Sequence, residues 1–126
     1  MYNDASYDTP HFNLIQEVIQ LDKEIMKGSI DIFILSVLLR GDSYGYEIVK
    51  NIKMSCPNQY DMSEGTLYPA LRRLERKDLI ESYWTESNVR RKYYRITNIG
   101  KSELHRKVSQ WKELNLLIVN LTEGLV

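Results

Sequence analysis

The chain has 126 residues, 43% of them hydrophobic, with 17 Lys+Arg balanced by 17 Asp+Glu and a single cysteine. That is enough for one domain with a modest core. It excludes a membrane span, for which roughly 18 consecutive apolar residues are needed, an internal disulfide, and a protein that is basic over its whole surface.

Residues 1–10 read as a loose arm ending at Thr9-Pro10, and the opening MYNDASYDTPHF is polar and acidic, unlike a secretory leader. Together with the lone Cys56, which stands beside Pro57 without a nearby histidine, this predicts a reducing, cytoplasmic setting. Leu14, Val18, Leu21 and Ile25 follow at i, i+4, i+7 and i+11, with Ile15 and Ile19 alongside, which predicts an amphipathic helix over about 11–24. Gly28-Ser29 interrupts it, and Ser29 is expected to cap a second helix, SIDIFILSVLLR. There Ile30, Phe33, Ile34, Val37 and Leu38 make one stripe, while Ile32, Leu35 and Leu39 line the other side. A helix apolar nearly all round must be covered nearly all round, in part by a second copy of the chain. Gly41-Asp42 ends it; Ser43 is expected to cap a third helix, YGYEIVKNIKM, with Tyr46, Ile48, Val49 and Ile52 turned into the core. SCPNQYD, 55–61, is a loop by its Pro, Asn and Asp content.

The stretch MSEGTLYPALRRLERKDLI, 62–80, is the most informative. With Ser63 as cap, Leu67, Ala70, Leu71 and Leu74 gather within about one third of a helical wheel. Gly65, Thr66, Tyr68, Pro69, Arg72, Arg73 and Arg76 fill the opposite side. A mid-helix proline costs about 3 kcal/mol and a glycine nearly 1 kcal/mol against alanine. Pro69 is expected to fall early enough that its missing donor costs less. In exchange the leading outer surface is low and stiff, as a surface approaching a nucleic-acid backbone requires. Ser63 and Thr66 can donate hydroxyls, the helix N-terminus favours phosphate, and Arg72 and Arg73 can reach phosphates or a guanine edge. A plain solvated face is the competing reading of the same residues, and the segment that follows tips the balance. IESYWT, 80–85, and RKYYRIT, 91–97, read as two strands joined by the turn ESNV. Thr97 then caps a last helix from about Asn98 to Leu121.

Four helices, a hairpin and a helix describe a mainly α protein with a small β-hairpin wing: a winged helix-turn-helix followed by a C-terminal helix. In that fold the helix before the hairpin enters a DNA major groove. The expected organisation is an N-terminal arm and extra helix over 1–25, the DNA-binding winged helix over 26–97, and a C-terminal dimerisation helix over 98–126. Charge follows the same division: net −5 over residues 1–71, +4 over 72–95 and +1 over 96–126. A neutral chain thus carries one local basic block, the footprint of a partner of opposite charge. In the last helix Leu104, Val108, Trp111, Asn115, Ile118, Thr122 and Leu125 alternate spacings of four and three, with Asn115 and Thr122 as polar interruptions of a seam. Leu114, Leu117 and Leu121 widen the stripe. With Leu14, Val18 and Leu21 of the first helix, this surplus apolar surface predicts a homodimer. Its two recognition helices would stand about 34 Å apart on a palindromic site.

The residues also carry a resemblance. SEGTLYPALRRLE resembles the recognition-helix signature of the PadR family of bacterial transcriptional regulators, and YGYEI, 44–48, resembles its second-helix motif. YYRIT followed by Gly100 resembles the second wing strand and the start of the last helix. The three motifs stand in family order over roughly residues 26–105, and the short remainder is similar to the subfamily with a single C-terminal helix. The resemblance implies a sequence-specific regulator of transcription, a repressor by the family's usual mode, bound to double-stranded DNA on the nucleoid and released by a small aromatic effector. Tyr44 and Tyr68 then look like backbone-positioning residues acting through their hydroxyls. Thr66, Pro69 and Arg72 take base-facing positions, and Arg73, Arg90, Arg91 and Lys92 read phosphate, with Ser43, Ser63 and Gly65 in support. Trp111 is the candidate to stack on an effector, against simple interface packing; Tyr83 and Trp84 go to the wing. The sequence departs from the family at Asp78, where glycine is usual, and at the wing tip ESNVRRK, which lacks Gly and Pro. Arg90, Arg91, Lys92 and Arg95 still suit a minor-groove or phosphate contact.

An enzyme is not expected. His11 and His105 are isolated, without metal-ligand spacing, and there is no glycine-rich phosphate loop, so neither cofactor nor metal is called for. RNA binding is disfavoured by the lack of a GXXG loop or a recognisable aromatic sheet face. The rival from another class is a winged-helix adaptor that docks protein rather than DNA; steeply salt-dependent duplex binding separates the two.

Overall fold

The structure, a computed structural model, describes residues 22–55 and 60–125. The helix expected over about 11–24 lies outside the described residues except for its last three positions, as do Leu14, Val18, Leu21 and Cys56. Among the described residues no helix is long and apolar enough to cross a membrane. The described chain opens with α1 (Lys23–Lys27), capped by the Asp22 carboxylate, which accepts from the Glu24 N–H at 2.6 Å. Gly28 and Ser29 separate it from α2 (Ile30–Arg40). Ser29 occupies the N-cap position there, but its hydroxyl makes no capping bond, so that expected cap is absent.

α2 is the central post of the fold. Ile34 and Leu35 are fully buried, Ile30 and Leu38 nearly so, and Ile32, Phe33 and Val37 pack at the core's edge, as an all-round apolar helix demands. Each such side chain contributes about 1.5–3 kcal/mol on burial. α2 packs against α3 (Gly45–Ser55), α4 (Glu64–Arg76) and α5 (Asn98–Thr122). Ile48 and Ile52 of α3 and Leu67, Ala70, Leu71 and Leu74 of α4 complete the centre, with Met62, Leu79 and Leu104 closing its ends.

Between α2 and α3 lies an element the sequence did not announce, β1 (Ser43–Tyr44). Its two residues pair antiparallel with Tyr94 and Tyr93, so the wing is a three-stranded sheet in the order β1, β3, β2, where β2 is Ile80–Trp84 and β3 is Lys92–Ile96. Ser43 therefore does not cap α3. It is buried, and its hydroxyl donates to the Gly41 carbonyl at 3.1 Å. The cap comes from Glu47, whose carboxylate accepts the Tyr44 N–H at 3.4 Å, half of a capping box.

α4 begins where expected: the Ser63 hydroxyl accepts from the Thr66 N–H at 3.2 Å. It ends at Asp78, which takes φ 60°, the left-handed region. The Leu79 N–H reaches the Leu74 carbonyl and the Asp78 N–H the Glu75 carbonyl, closing the helix in a Schellman arrangement. Asp78 thus adopts the conformation a glycine would have supplied, which short polar side chains tolerate better than most. The hairpin that follows runs in register from Ile80↔Ile96 to Trp84↔Lys92. Thr97 caps α5 by accepting from the Gly100 N–H at 3.0 Å, while its own hydroxyl reaches the Asp78 carbonyl at 2.7 Å.

Candidate nucleic-acid interface

The wheel of α4 resolves into three strips. Gly65, Pro69, Arg72 and Arg76 form an exposed crest. Tyr68 and Glu75 flank it on the wing side, where Glu75 accepts a hydrogen bond from the Ser82 hydroxyl of β2 at 2.6 Å. Thr66 and Arg73 flank it on the side of α2, where the Arg73 guanidinium bonds to Asp31. Arg73 was expected to read phosphate; the structure instead commits it to an ion pair whose carboxylate is largely buried. Ser63 is exposed, but its hydroxyl is engaged within the protein: besides capping α4 it meets that of Thr66 at 3.2 Å. Thr66 itself stands half-buried in a groove beside Asp31, Asp61 and Arg73, apart from Arg72. α4 runs unbroken through Pro69. Because the helix starts at Glu64, Pro69 lies past the first turn, and its missing N–H leaves the exposed Gly65 carbonyl without its helical donor. The expected economy of an early proline is therefore not realised.

On the wing side, Tyr68 leans over the start of α3. A β-carbon placed on Gly45 would stand 2.5 Å from the Tyr68 hydroxyl oxygen, so only glycine leaves that seat open. Tyr44, the residue before Gly45, stacks on Tyr46 with ring centres 6.3 Å apart. Tyr46 was expected in the core; it is 67% exposed, because α3 buries Ile48 and Ile52 on its other face. Arg72 acts on the neighbouring Tyr94. Burial, and after it Glu75 and Tyr68, raises the Tyr94 phenol above its ordinary value, while the Arg72 charge works in the opposite direction. The charge of the crest arginine is thus felt at the inner face of the hairpin.

Alternation divides the wing into two faces. Ile80, Ser82 and Trp84 of β2, with Lys92, Tyr94 and Ile96 of β3, turn toward α4; Ile80, Tyr94 and Ile96 are buried there. The Arg90 guanidinium sits over the Trp84 ring at 4.4 Å and the Lys92 ammonium over Tyr94 at 5.7 Å. The other face carries a file of tyrosines across all three strands. Tyr44 meets Tyr93 at 5.4 Å, and Tyr93 stacks on Tyr83 at 5.9 Å. An aromatic sheet face is thus present after all, though Arg91 covers Tyr44 at 4.6 Å and Arg95 covers Tyr83 at 4.7 Å. Arg95 pairs with Asp42 and Glu81, each at 3.5 Å, which withdraws it from the expected set of wing cations free for phosphate. Among the described residues no carboxylate pairs with Arg72, Arg76, Arg90, Arg91 or Lys92.

A family model described as the transcriptional regulator PadR-like family matches residues 34–106, from the middle of α2 into α5. The chain belongs to the PadR-like family. A solved transcriptional regulator from Clostridium thermocellum is 42% identical, with a TM-score of 0.73 over 81% of this chain and 100% of that one. A PadR family transcription regulator from Clostridium difficile is 40% identical, with a TM-score of 0.66 over 76% and 99%. A protein of Lysinibacillus sphaericus without a described function is 40% identical over 81% of this chain and 95% of its own length. The Escherichia coli transcriptional regulator YqjI is 32% identical, but the match covers only 42% of that longer protein. This PadR-like chain is therefore a DNA-binding transcriptional regulator of winged-helix fold.

Two residues that matter to the interface escaped the sequence. Gly45 lay inside the YGYEI motif, but its role depends on Tyr68, which no local spacing reveals. Asp42 read as a helix terminator, yet it accepts from the Tyr83 hydroxyl at 2.7 Å. That bond, ahead of burial, raises the Tyr83 phenol above its ordinary value, with Arg95 pulling the other way. On the far side of the molecule, Val108 and Trp111 of α5 join Ile25, Met26, Ile32 and Phe33 around an apolar cavity of about 260 Å³. From Trp111 onward Leu114, Leu117, Ile118 and Leu121 stand half or more exposed. Among the described residues no group of acidic, His or Cys side chains is arranged to hold a metal ion.

Proposed function

We propose that this PadR-like chain is a sequence-specific repressor that grips a palindromic operator as a homodimer and leaves it when a small flat aromatic compound binds. The observation that carries the reading is the shared side formed by the α4 crest and the inner face of the wing. Gly65, Tyr68, Pro69 and Arg72 of the crest share it with Trp84, Arg90 and Lys92 of the wing, and among the described residues no carboxylate pairs with those cations. Arg72 reads a base edge, with Pro69 and Gly65 keeping the crest low enough for the groove floor. Tyr68 holds phosphate at the start of α3, and Arg90 and Lys92 reach phosphate or the minor groove beside it, while Tyr44 stands on the outer face under Arg91 and supports the sheet. Arg91, on the outer face, contributes through long-range charge. Thr66 serves at the edge of the contact rather than its centre, and Ser43, Ser63 and Arg73 serve the fold.

The dimer reading is supported by the row Leu114, Leu117, Ile118 and Leu121, a contiguous apolar strip too large for a solitary surface helix. Asn115 sets its register. The effector reading is supported by the apolar cavity under Trp111, which suits a single aromatic ring stacked on the indole. Selection of bound duplexes from a random pool, followed by titration of the enriched sequence, tests the whole. The expected result is an inverted repeat with half-sites about 34 Å apart, two chains per duplex, and an affinity that falls steeply with salt. Arg72→Ala should weaken binding and relax preference at one position of each half-site. No enriched duplex, or salt-independent binding, would hand the surface to a protein partner instead.

A further inference from the structure

Three residues outside the DNA-facing side meet at one corner of the fold. Asp42 leaves α2 at the turn into β1, on the helical body. Its carboxylate accepts from the Tyr83 hydroxyl at 2.7 Å and lies 3.5 Å from the Arg95 guanidinium. Arg95 also covers the Tyr83 ring at 4.7 Å and reaches Glu81 at 3.5 Å. Tyr83 belongs to β2 and Arg95 to β3, and both project from the outer face of the hairpin. One carboxylate on the body therefore holds both strands of the wing. The inner face is held separately, by Ser82 on Glu75 of α4 at 2.6 Å. The β1–β3 ladder ties β3 to the body through the main chain; β2, at the far edge of the sheet, has one polar side-chain tie on each face, and together these hold the wing cations at a fixed angle to α4.

We infer that Asp42 is a wing-positioning residue: through Tyr83 and Arg95 it sets the pose in which Arg90 and Lys92 meet DNA, without touching DNA itself. The inference rests on the DNA-binding reading above. It also sorts the wing arginines into two kinds. Arg90 lies over Trp84 on the inner face, whereas Arg95, on the outer face, serves the latch. Both partners of the ion pair are partly exposed, 48% for Arg95 and 37% for Asp42, so the pair adds little to folding stability. The effect belongs to binding.

The opposite assignment predicts the opposite sign. If Arg95 were a phosphate contact restrained by Asp42, removing the carboxylate would free a cation, remove a repelling charge and tighten binding. The latch predicts loss. The test uses the full chain and the duplex it selects from a random pool, with fluorescence anisotropy at several salt concentrations and thermal unfolding in parallel. Tyr83→Phe keeps the charge and the ring stack and removes only the hydrogen bond. It should bind about three- to tenfold more weakly, with an unchanged salt slope and a folded state intact at the assay temperature. Asp42→Ala should also weaken binding, and the double variant should lose little beyond Asp42→Ala alone. Arg95→Ala should weaken binding with no change of salt slope. Wild-type affinity in Tyr83→Phe, tighter binding by Asp42→Ala, or a salt slope lowered by about one in Arg95→Ala overturns the latch while leaving the DNA reading standing. A wild-type chain that enriches no duplex overturns both.

Discussion

A β-carbon at Gly45 or at Gly100 would meet a neighbour, but what stands in the way differs, and so do the consequences. At Gly45 the obstacle is the hydroxyl end of Tyr68, at 2.5 Å, a group that can swing aside. Gly45→Ala should therefore leave stability within about 1 kcal/mol of wild type while displacing Tyr68, and duplex binding should weaken by roughly tenfold. Equal affinity would show that Tyr68 does not position the backbone. At Gly100 the obstacle is the Leu79 carbonyl oxygen, part of the main chain that joins α4 to the wing. Gly100→Ala should cost about 3 kcal/mol or more in denaturant unfolding, because backbone must shift. The sequence displayed both glycines inside motifs. It could not display their neighbours, which come from elements 23 and 21 residues away. For the same reason Arg72 and Arg73 looked alike in the text. Only the packed α2 separates the exposed crest residue from the one that bonds to Asp31.

Elements were legible in proportion to their periodicity. Four positions of α4 repeat at helical spacing, and all four are buried at 1% exposure or less. Leu74→Ala should therefore cost about 2–5 kcal/mol, measured by unfolding. The hairpin was legible from its aromatic and β-branched residues. β1 was not, since two residues cannot display an alternation, and their strand character comes entirely from pairing with Tyr93 and Tyr94. Tyr46 was misplaced because an aromatic ring beside an apolar stripe reads as core, whereas here it stacks on Tyr44 in the open. The junction of α4 and β2 carries its own test. Asp78 holds φ 60°, which costs a residue with a side chain about 1–2 kcal/mol, less for aspartate. Asp78→Gly should raise stability by about 0.5–1 kcal/mol, because the Thr97 hydroxyl binds the Asp78 carbonyl and not its side chain. A loss of stability instead would mean that the Asp78 carboxylate makes a contact of its own.

At the scale of the whole molecule, the described chain has two unfinished surfaces, and each asks for a different partner. The far half of α5 exposes Leu114, Leu117, Ile118 and Leu121, the apolar strip on which the proposed homodimer rests. Leu117→Glu should turn a dimer into a monomer at micromolar concentration in light scattering and weaken duplex binding by more than any single phosphate contact. A wild-type monomer at that concentration would remove the dimer. The other surface is cationic, formed by α4 and the inner side of the wing, and is the one the proposed duplex occupies. The most direct measurement is the salt dependence of binding to the selected duplex, for wild type and for the Arg90→Ala/Lys92→Ala double variant. The account predicts that log affinity falls linearly with log salt, and that the double variant's slope is smaller by about two. A double variant with the wild-type slope would contradict it, because those two cations could not then be facing the phosphates.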